Sequence, residues 1–101
     1  MKMLEAMRDT VALMERGLAQ ISEHSDMPAY ERIAQLDNDL KPSHLRDMLR
    51  TMESGINPQN PDAGFSEGKM GRWLGWAQAA VVAMQCATLD DMKAINKRWA
   101  A

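Results

Sequence analysis

A short segment, FSEGKMGRWLGWAQ (residues 65–78), combines two cations with two indoles at helical spacing. Residues three or four apart share one face of a helix, so these side chains would project together. Indole and guanidinium planes stack on nucleobases, and cations near a helix N-terminus add to its positive dipole and free N–H groups, which favour phosphate. The predicted ligand is therefore a small anionic nucleotide, and the candidate ligand-binding residues are Lys69, Arg72, Trp73 and Trp76.

The same segment has a second interpretation, in which the tryptophans only pack. Trp73 and Trp76 would then anchor a core or an interface, Gly71 and Gly75 would allow close helix packing, and the cations would be solvated. Both interpretations remain open at this point. The segment does not match a phosphate-binding loop, which needs a longer glycine loop ending in Gly-Lys-Ser or Gly-Lys-Thr after a strand, so no ATPase is inferred.

The remaining reactive side chains do not form a catalytic group. His24 and His44 lie near predicted helix ends with no Cys or His at metal-ligand spacing, which is typical of capping or surface histidines. Cys86 lies inside an apolar run and is interpreted as a small buried hydrophobe. We therefore expect a protein that is not an enzyme, with no catalytic residue, no metal and no cofactor.

A second basic patch is predicted at the end of the chain, formed by Lys93, Lys97, Arg98 and Trp99. Cations at a helix C-terminus stabilise the helix itself, and that role is sufficient to explain them. If the last two helices fold against each other or against a neighbouring subunit, this patch could instead join Lys69 and Arg72 in one positive pocket.

Composition predicts an all-α fold, because good helix formers dominate and the chain has a single Phe and a single Tyr. The 101 residues suit one helical domain of four to five helices. A Pro- and Gly-rich loop at 55–65 separates an acidic helical part, 1–54, from a basic helical part, 66–101. Helices are predicted over about 2–23, 28–36, 44–54, 67–87 and 89–99, with Ser25 or Asp26, Ser43, Ser66 and Thr88 as N-caps.

The first predicted helix carries a narrow apolar seam with a spacing of 3, 4, 3, 4, 3. Such a seam pairs with another helix, either within the chain or across a homo-oligomer, and both alternatives are open. The fourth predicted helix is apolar almost without interruption from Trp73 to Ala87, which favours an oligomer that covers part of it. We therefore expect a homo-oligomer, with the seam as candidate interface: Leu4, Met7, Val11, Met14, Leu18 and Ile21.

Charge and cysteine content limit the expected partners and the expected cellular location of the protein. The formal net charge of -2 gives no basic excess, so nucleic acid is not an expected partner. One cysteine cannot form an internal disulfide, and no stretch has the length of apolar sequence that a membrane span needs. We expect a cytoplasmic protein without membrane association.

The segment also resembles a family. Small accessory proteins of tailed phages and prophages share Gly-Lys-x-x-Arg-Trp-Leu-Gly-Trp/Phe-x-Gln, followed by a helix ending in Lys-x-Ile-Asn. The resemblance covers about residues 65–99, and the chain carries the pattern as Gly68, Lys69, Arg72, Trp73, Leu74, Gly75, Trp76 and Gln78, with Ile95 and Asn96 downstream. It supplies no catalytic residue.

This resemblance implies that the protein comes from a phage and acts in the host cytoplasm. Proteins of this class often counter host defence. We expect this one to do so as a sponge, that is, an oligomer that binds and sequesters a nucleotide immune signal. The alternative is an inhibitor or adaptor that docks on a host or phage protein through a surface rich in methionine, of which the chain has ten.

Overall fold

The computed structural model describes the backbone of residues 1–24 and 27–101, and the side chains of residues 1–21 and 31–101. These residues form five α-helices and a 3-10 helix, without a strand in the described ranges, which confirms the all-α fold. The elements are α1 (Met3–His24), α2 (Met27–Ala34), the 3-10 helix (Asn38–Leu40), α3 (Pro42–Ser54), α4 (Glu67–Ala83) and α5 (Leu89–Arg98).

Local capping explains where α4 and α5 begin. The Ser66 hydroxyl accepts the backbone N–H of Lys69 at 3.1 Å. At α5, Thr88 Oγ1 accepts the N–H of Asp91 at 3.1 Å, and Asp91 Oδ2 accepts the N–H of Thr88 at 2.9 Å, a reciprocal capping box. Both predicted caps are confirmed.

The start of α3 differs from the prediction. The helix begins at Pro42 with Lys41 at the N-cap, so Ser43 lies inside the first turn. Proline suits that position because its φ is already helical and its missing N–H would have had no partner in the helix. The predicted cap at Ser25 or Asp26 falls outside the described residues.

The fourth helix is shorter than predicted. It ends at Ala83, and Gln85 has a φ of 60°, the left-handed region that stops a helix. Arg32 of α2 donates from Nη2 to the carbonyl oxygen of Met84 at 3.1 Å, which satisfies one of the carbonyl groups left at the helix end. After this turn α5 packs on α1, and Asn96 of α5 is hydrogen-bonded to Gln78 of α4.

The core lies where α1 packs against α3, α4 and α5. Met7 and Met14 of the predicted seam are fully buried in it, and Val11 is 6% exposed. Leu4 and Leu18 pack partly against the same core, and Ile21 is half-buried. The chain itself therefore covers the seam, as the intrachain alternative proposed, and Met7, Val11 and Met14 have no surface left to offer as an oligomer interface.

Small and polar residues complete this junction. Gly17 of α1 closely approaches the turn between α4 and α5, because a Cβ at Gly17 would lie 2.6 Å from the Cβ of Cys86 and 2.7 Å from its carbonyl oxygen. Gln78 of α4, 8% exposed, donates to Thr10 Oγ1 at 3.3 Å and exchanges hydrogen bonds of 2.8 and 3.0 Å with Asn96. One buried amide thus connects three helices.

The methionines are mostly core residues. Six are buried, namely Met7, Met14, Met48, Met52, Met84 and Met92. Met3 and Met70 pack partly against the core, and Met1 is 51% exposed. Among the described side chains, the methionines therefore serve mainly the core and do not form a methionine-rich surface.

The molecule is thin, with principal dimensions of 44 × 28 × 16 Å between Cα atoms. A thickness of this size holds about two layers of helices, since one helix with its side chains measures roughly 10 Å across. Helix α4 is therefore covered on one side and open on the other. None of the helices in the described ranges has both the length and the apolar character needed to cross a bilayer.

Candidate functional site

A surface pocket of about 350 Å³ lies between the 3-10 helix, α3 and α4. We call it the Trp76 pocket. It contains three of the four candidate ligand-binding residues, and its lining consists of Asp39, His44, Met48, Arg72, Trp73 and Trp76.

The aromatic wall of the pocket consists of Trp73 and Trp76 of α4, and each indole contacts a residue outside the helix. The indole N–H of Trp76 donates to the backbone oxygen of Asp39 at 2.9 Å, which ties α4 to the 3-10 helix. Trp73 contacts Phe65 edge to face, with ring centroids 5.0 Å apart and an angle of 83° between the planes. Both indoles are thus fixed, and Trp76 remains 48% exposed, so its ring presents a face for stacking.

The polar groups of the pocket come from three different elements. Arg72, exposed on α4, supplies a guanidinium that lies along the first turn of its helix, with Nη1 3.5 Å from where a Cβ of Gly68 would be. His44 of α3 is half-buried and supplies an imidazole, and Asp39 supplies a carboxylate. Met48, 5% exposed, forms the apolar base.

Lys69 is placed differently from the prediction. Its Nζ donates to Asn57 Oδ1 at 2.9 Å and lies 5.5 Å from the ring centre of Phe65 and 5.4 Å from that of Trp73. These contacts direct the ammonium group toward the 55–65 loop, and Lys69 does not line the pocket. It supports the aromatic wall from behind, an attraction between a cation and the ring faces.

The second basic patch does not join the first. Arg98 pairs with Asp9 Oδ2 of α1 at 3.2 Å, and the indole N–H of Trp99 donates to the same oxygen at 2.8 Å. The ammonium of Lys2 lies 6.0 Å from the ring centre of Trp99. This arrangement, which we call the Trp99 corner, is closed onto α1, so the single positive pocket considered from the sequence is not formed.

Three residues of the Trp76 pocket were not among the candidates. Asp39 and Met48 carried no functional signal in the sequence, and His44 was interpreted as a capping or surface histidine. The spacing of His44 and Met48 is four residues, which places them on one helix face. The sequence offered that signal, but not the information that this face meets α4.

Other reactive groups do not add to the site. Burial raises the pKa of the Cys86 thiol above its ordinary value, against a smaller lowering by Arg32 and a further raising by Glu15, so it stays a protonated, packed side chain. Among the described side chains, those of residues 1–21 and 31–101, no three His, Cys, Asp or Glu groups come close enough together to hold a metal ion. The side chain of His24 lies outside the described residues.

Comparison of the chain with protein-family models, with curated proteins and with solved structures gives no match.

Proposed function

We propose that the protein is a non-enzymatic binder of a small anionic nucleotide, and that the Trp76 pocket is its binding site. The observation that carries the proposal is the meeting of Arg72, Trp73 and Trp76 in one pocket. A nucleotide needs a flat apolar surface for its base and a fixed cation for its phosphate. The indole of Trp76 offers the first, and the guanidinium of Arg72 offers the second.

The size of the pocket favours a ligand with one base. A volume of about 350 Å³ is near the lower end of the range of roughly 300–1,000 Å³ found for small-molecule sites. A nucleoside monophosphate suits that space, whereas a dinucleotide would leave one base in solvent. Arg72 is the cation of the lining, which also favours one phosphate over several.

The remaining polar groups favour particular parts of the ligand. The Asp39 carboxylate accepts hydrogen bonds, so it suits a ribose hydroxyl or the exocyclic amine of a base. It would repel a second phosphate. The His44 imidazole can donate to phosphate or to a ring nitrogen. We therefore expect base, sugar and phosphate each to have a partner in the pocket.

The biological role we propose is sequestration. A protein of a tailed phage or prophage, as the resemblance of residues 65–99 suggests, would lower the free concentration of a nucleotide defence signal in the host by binding it. The pocket supports this role because it combines indole faces that can stack on a base with a guanidinium that can bind phosphate.

Isothermal titration calorimetry tests the proposal directly. The folded protein is titrated with nucleoside monophosphates, cyclic mononucleotides, cyclic dinucleotides and ADP-ribose derivatives. We expect saturable heat with one or more mononucleotides and weaker binding of the dinucleotides. Trp76→Ala should lower the affinity about tenfold, a loss within the range for removing one base-stacking partner.

The charge contact has a matched pair of variants. Arg72→Gln removes the guanidinium that faces the pocket, and Arg50→Gln removes an exposed arginine of α3 that pairs with Asp47. Affinity should fall about tenfold in the first variant and stay unchanged in the second, since a charge-assisted hydrogen bond is worth roughly 1.5–3 kcal/mol. No heat with any nucleotide in a properly folded sample would reject the proposal, and so would equal losses in both variants.

A further inference from the structure

Asp39 lies beside the ring of Trp76 and not over its face. The indole N–H of Trp76 donates to the backbone oxygen of Asp39 at 2.9 Å, and an indole N–H points outward in the plane of its ring. The side chain of Asp39 lines the same pocket. A base stacked on Trp76 lies parallel to the indole, so the edge of the base faces the groups beside the ring. The carboxylate of Asp39 is therefore in position to meet the edge of a stacked base.

The carboxylate of Asp39 is available to a ligand. Asp39 is exposed, and the ion pairs among the described residues are formed by other acidic groups, namely Asp9, Glu15, Asp47 and Glu53. An ionised carboxylate has two oxygens, and both only accept hydrogen bonds. It therefore pairs best with an edge that offers two neighbouring donors, and it repels an edge on which a donor adjoins an acceptor.

The common bases differ in the edge that they offer to a carboxylate. Guanine carries two adjacent donors, the ring N1–H and the exocyclic N2 amine, and each can reach one carboxylate oxygen. Adenine and cytosine place an accepting ring nitrogen beside their amine, and the ring N–H of uracil lies between two carbonyl groups. Guanine is therefore the common base that matches a carboxylate with both of its oxygens.

We propose that the Trp76 pocket binds a guanine mononucleotide, and that Asp39 is the residue that selects the base. The inference rests on the function proposed above, since it needs a nucleotide that stacks in this pocket. The guanine stacks on Trp76, and its N1–H and N2 amine donate to the two carboxylate oxygens of Asp39. Its phosphate binds Arg72, which precedes Trp76 by four residues and so lies about 5.4 Å along the same face of α4.

A ribose could offer the same carboxylate two hydroxyl donors, and this alternative predicts a different dependence on the ligand. Every ribonucleotide has the same sugar, so Asp39 would then distinguish ribose from deoxyribose and would not distinguish one base from another. The position of Asp39 beside the indole ring favours the base. Hydrogen bonds from the edge of a stacked base run parallel to that ring, whereas the ribose is bonded to guanine at the end opposite its two donors.

Calorimetry with ligands that differ by one group tests the inference. Inosine monophosphate (IMP) is guanosine monophosphate (GMP) without the N2 amine. We expect the folded wild type to bind IMP about tenfold more weakly than GMP, the size of effect that one hydrogen bond to a charged group gives. Adenosine monophosphate should bind at least as weakly as IMP. The 2′-deoxy form of GMP should bind as tightly as GMP itself.

An isosteric variant tests Asp39 itself. Asp39→Asn replaces one carboxylate oxygen by an amide group that donates, and it keeps the backbone oxygen that Trp76 bonds. Xanthosine monophosphate (XMP) has a carbonyl oxygen where GMP has its N2 amine, so the amide pairs with XMP and the carboxylate repels it. We expect the wild type to prefer GMP to XMP by about tenfold, and Asp39→Asn to prefer XMP.

Asp37→Asn is the matched control. Asp37 is an exposed aspartate at the N-cap of the same 3-10 helix, its side chain makes no cap hydrogen bond, and it does not line the pocket. The variant removes the same charge and should keep the preference for GMP.

The outcomes separate this inference from the function on which it rests. Equal affinities for GMP and IMP, or the same order of GMP and XMP in the wild type and in Asp39→Asn, would overturn the selection of guanine and leave nucleotide binding intact. A reversed order in Asp37→Asn would overturn it as well, because net charge would then explain the change. Weak binding of the 2′-deoxy form without a preference among bases would place the ribose at Asp39 and reject the inference. No saturable heat with any mononucleotide would reject both.

Discussion

Trp76 and Trp99 make the same kind of contact with different consequences. Each indole donates its N–H to an aspartate, but Trp76 uses the backbone oxygen of Asp39 at 2.9 Å, and Trp99 uses the carboxylate of Asp9 at 2.8 Å. At the Trp99 corner the carboxylate of Asp9 also pairs with Arg98, so both of these contacts hold α5 against α1. At the Trp76 pocket the carboxylate of Asp39 still lines the pocket.

The difference shows that the same residue types can either hold two helices together or form a candidate binding site, depending on which partners they have within the chain. At the Trp99 corner, Lys2 lies over the ring and Arg98 is neutralised by Asp9. In the Trp76 pocket, Arg72 makes no ion pair within the described residues, and nearly half of Trp76 is exposed. A ligand therefore finds partners in the pocket, and at the corner it would have to displace contacts already made.

Replacing Trp99 should have the largest effect on stability. Trp99→Ala removes a half-buried indole that packs on the core and the hydrogen bond to Asp9, and should lower the free energy of unfolding by about 3 kcal/mol. Urea denaturation followed by circular dichroism measures the change. Trp99→Phe keeps most of the packing and should cost about 1 kcal/mol. A loss below that value in Trp99→Ala would mean that the corner does not hold α5.

Replacing Gln78, the buried amide that connects three helices, should have the second-largest effect on stability. Gln78→Ala leaves the Asn96 amide without its partner, whereas the Thr10 hydroxyl still donates to the Ala6 carbonyl oxygen. The change should cost about 2 kcal/mol, because polar groups left without a partner inside the fold are expensive. Gln20→Ala is the control, since Gln20 is an exposed residue of α1, and its effect should stay within about 0.5 kcal/mol. Equal urea midpoints for the two variants would contradict a role for the Gln78 network.

Trp76→Ala should reverse the pattern seen for Trp99. Because nearly half of the Trp76 side chain is exposed, the loss of stability should be about 1 kcal/mol. Nucleotide affinity should nevertheless fall in this variant and persist in Trp99→Phe. The two measurements, urea denaturation and calorimetry, separate a binding tryptophan from a structural one. If stability and nucleotide affinity fell together in both Trp76→Ala and Trp99→Phe, Trp76 could not be distinguished from Trp99 as the binding tryptophan.

The smallest effect concerns the cap at which α5 begins. Hydrogen bonds from the backbone and side chain of Thr88 lower the pKa of Asp91 below its ordinary value of 3.8. A carboxylate with a lowered pKa in the folded state stabilises the fold above its unfolded pKa, and this contribution is lost as the pH falls through the folded pKa. The wild type should therefore exceed Asp91→Asn in stability at about pH 6, and the gap should narrow at about pH 3. A gap that does not change with pH would show that the charge of Asp91 does not matter.

Much of the fold could be predicted from local sequence. The helices follow from composition and from caps such as Ser66 and Thr88, which act through hydrogen bonds only three residues long. The end of α4 was harder to predict, because the residues after Ala83 remain apolar and the left-handed turn at Gln85 carries no glycine to announce it. The start of α3 was misplaced because Ser43 and Pro42 both signal a helix start.

The candidate site was predicted only in the part that α4 contributes. Arg72, Trp73 and Trp76 share a face by helical spacing alone. Lys69 shares it too, but Asn57 and the ring of Phe65 hold its ammonium group elsewhere. Asp39 and His44 belong to elements more than twenty-five residues away, and helical periodicity does not reach that distance.

The sequence by itself determined that the chain is helical, where most helices begin, and which side chains of α4 lie together. Only the tertiary structure decided that α3, α4 and α5 cover the seam of α1, that Arg98 and Trp99 close onto Asp9, and that Arg72 and Trp76 stay open beside Asp39. The physical reason is range: capping and periodicity act between residues a few positions apart, whereas burial and ion pairing depend on which helix faces meet.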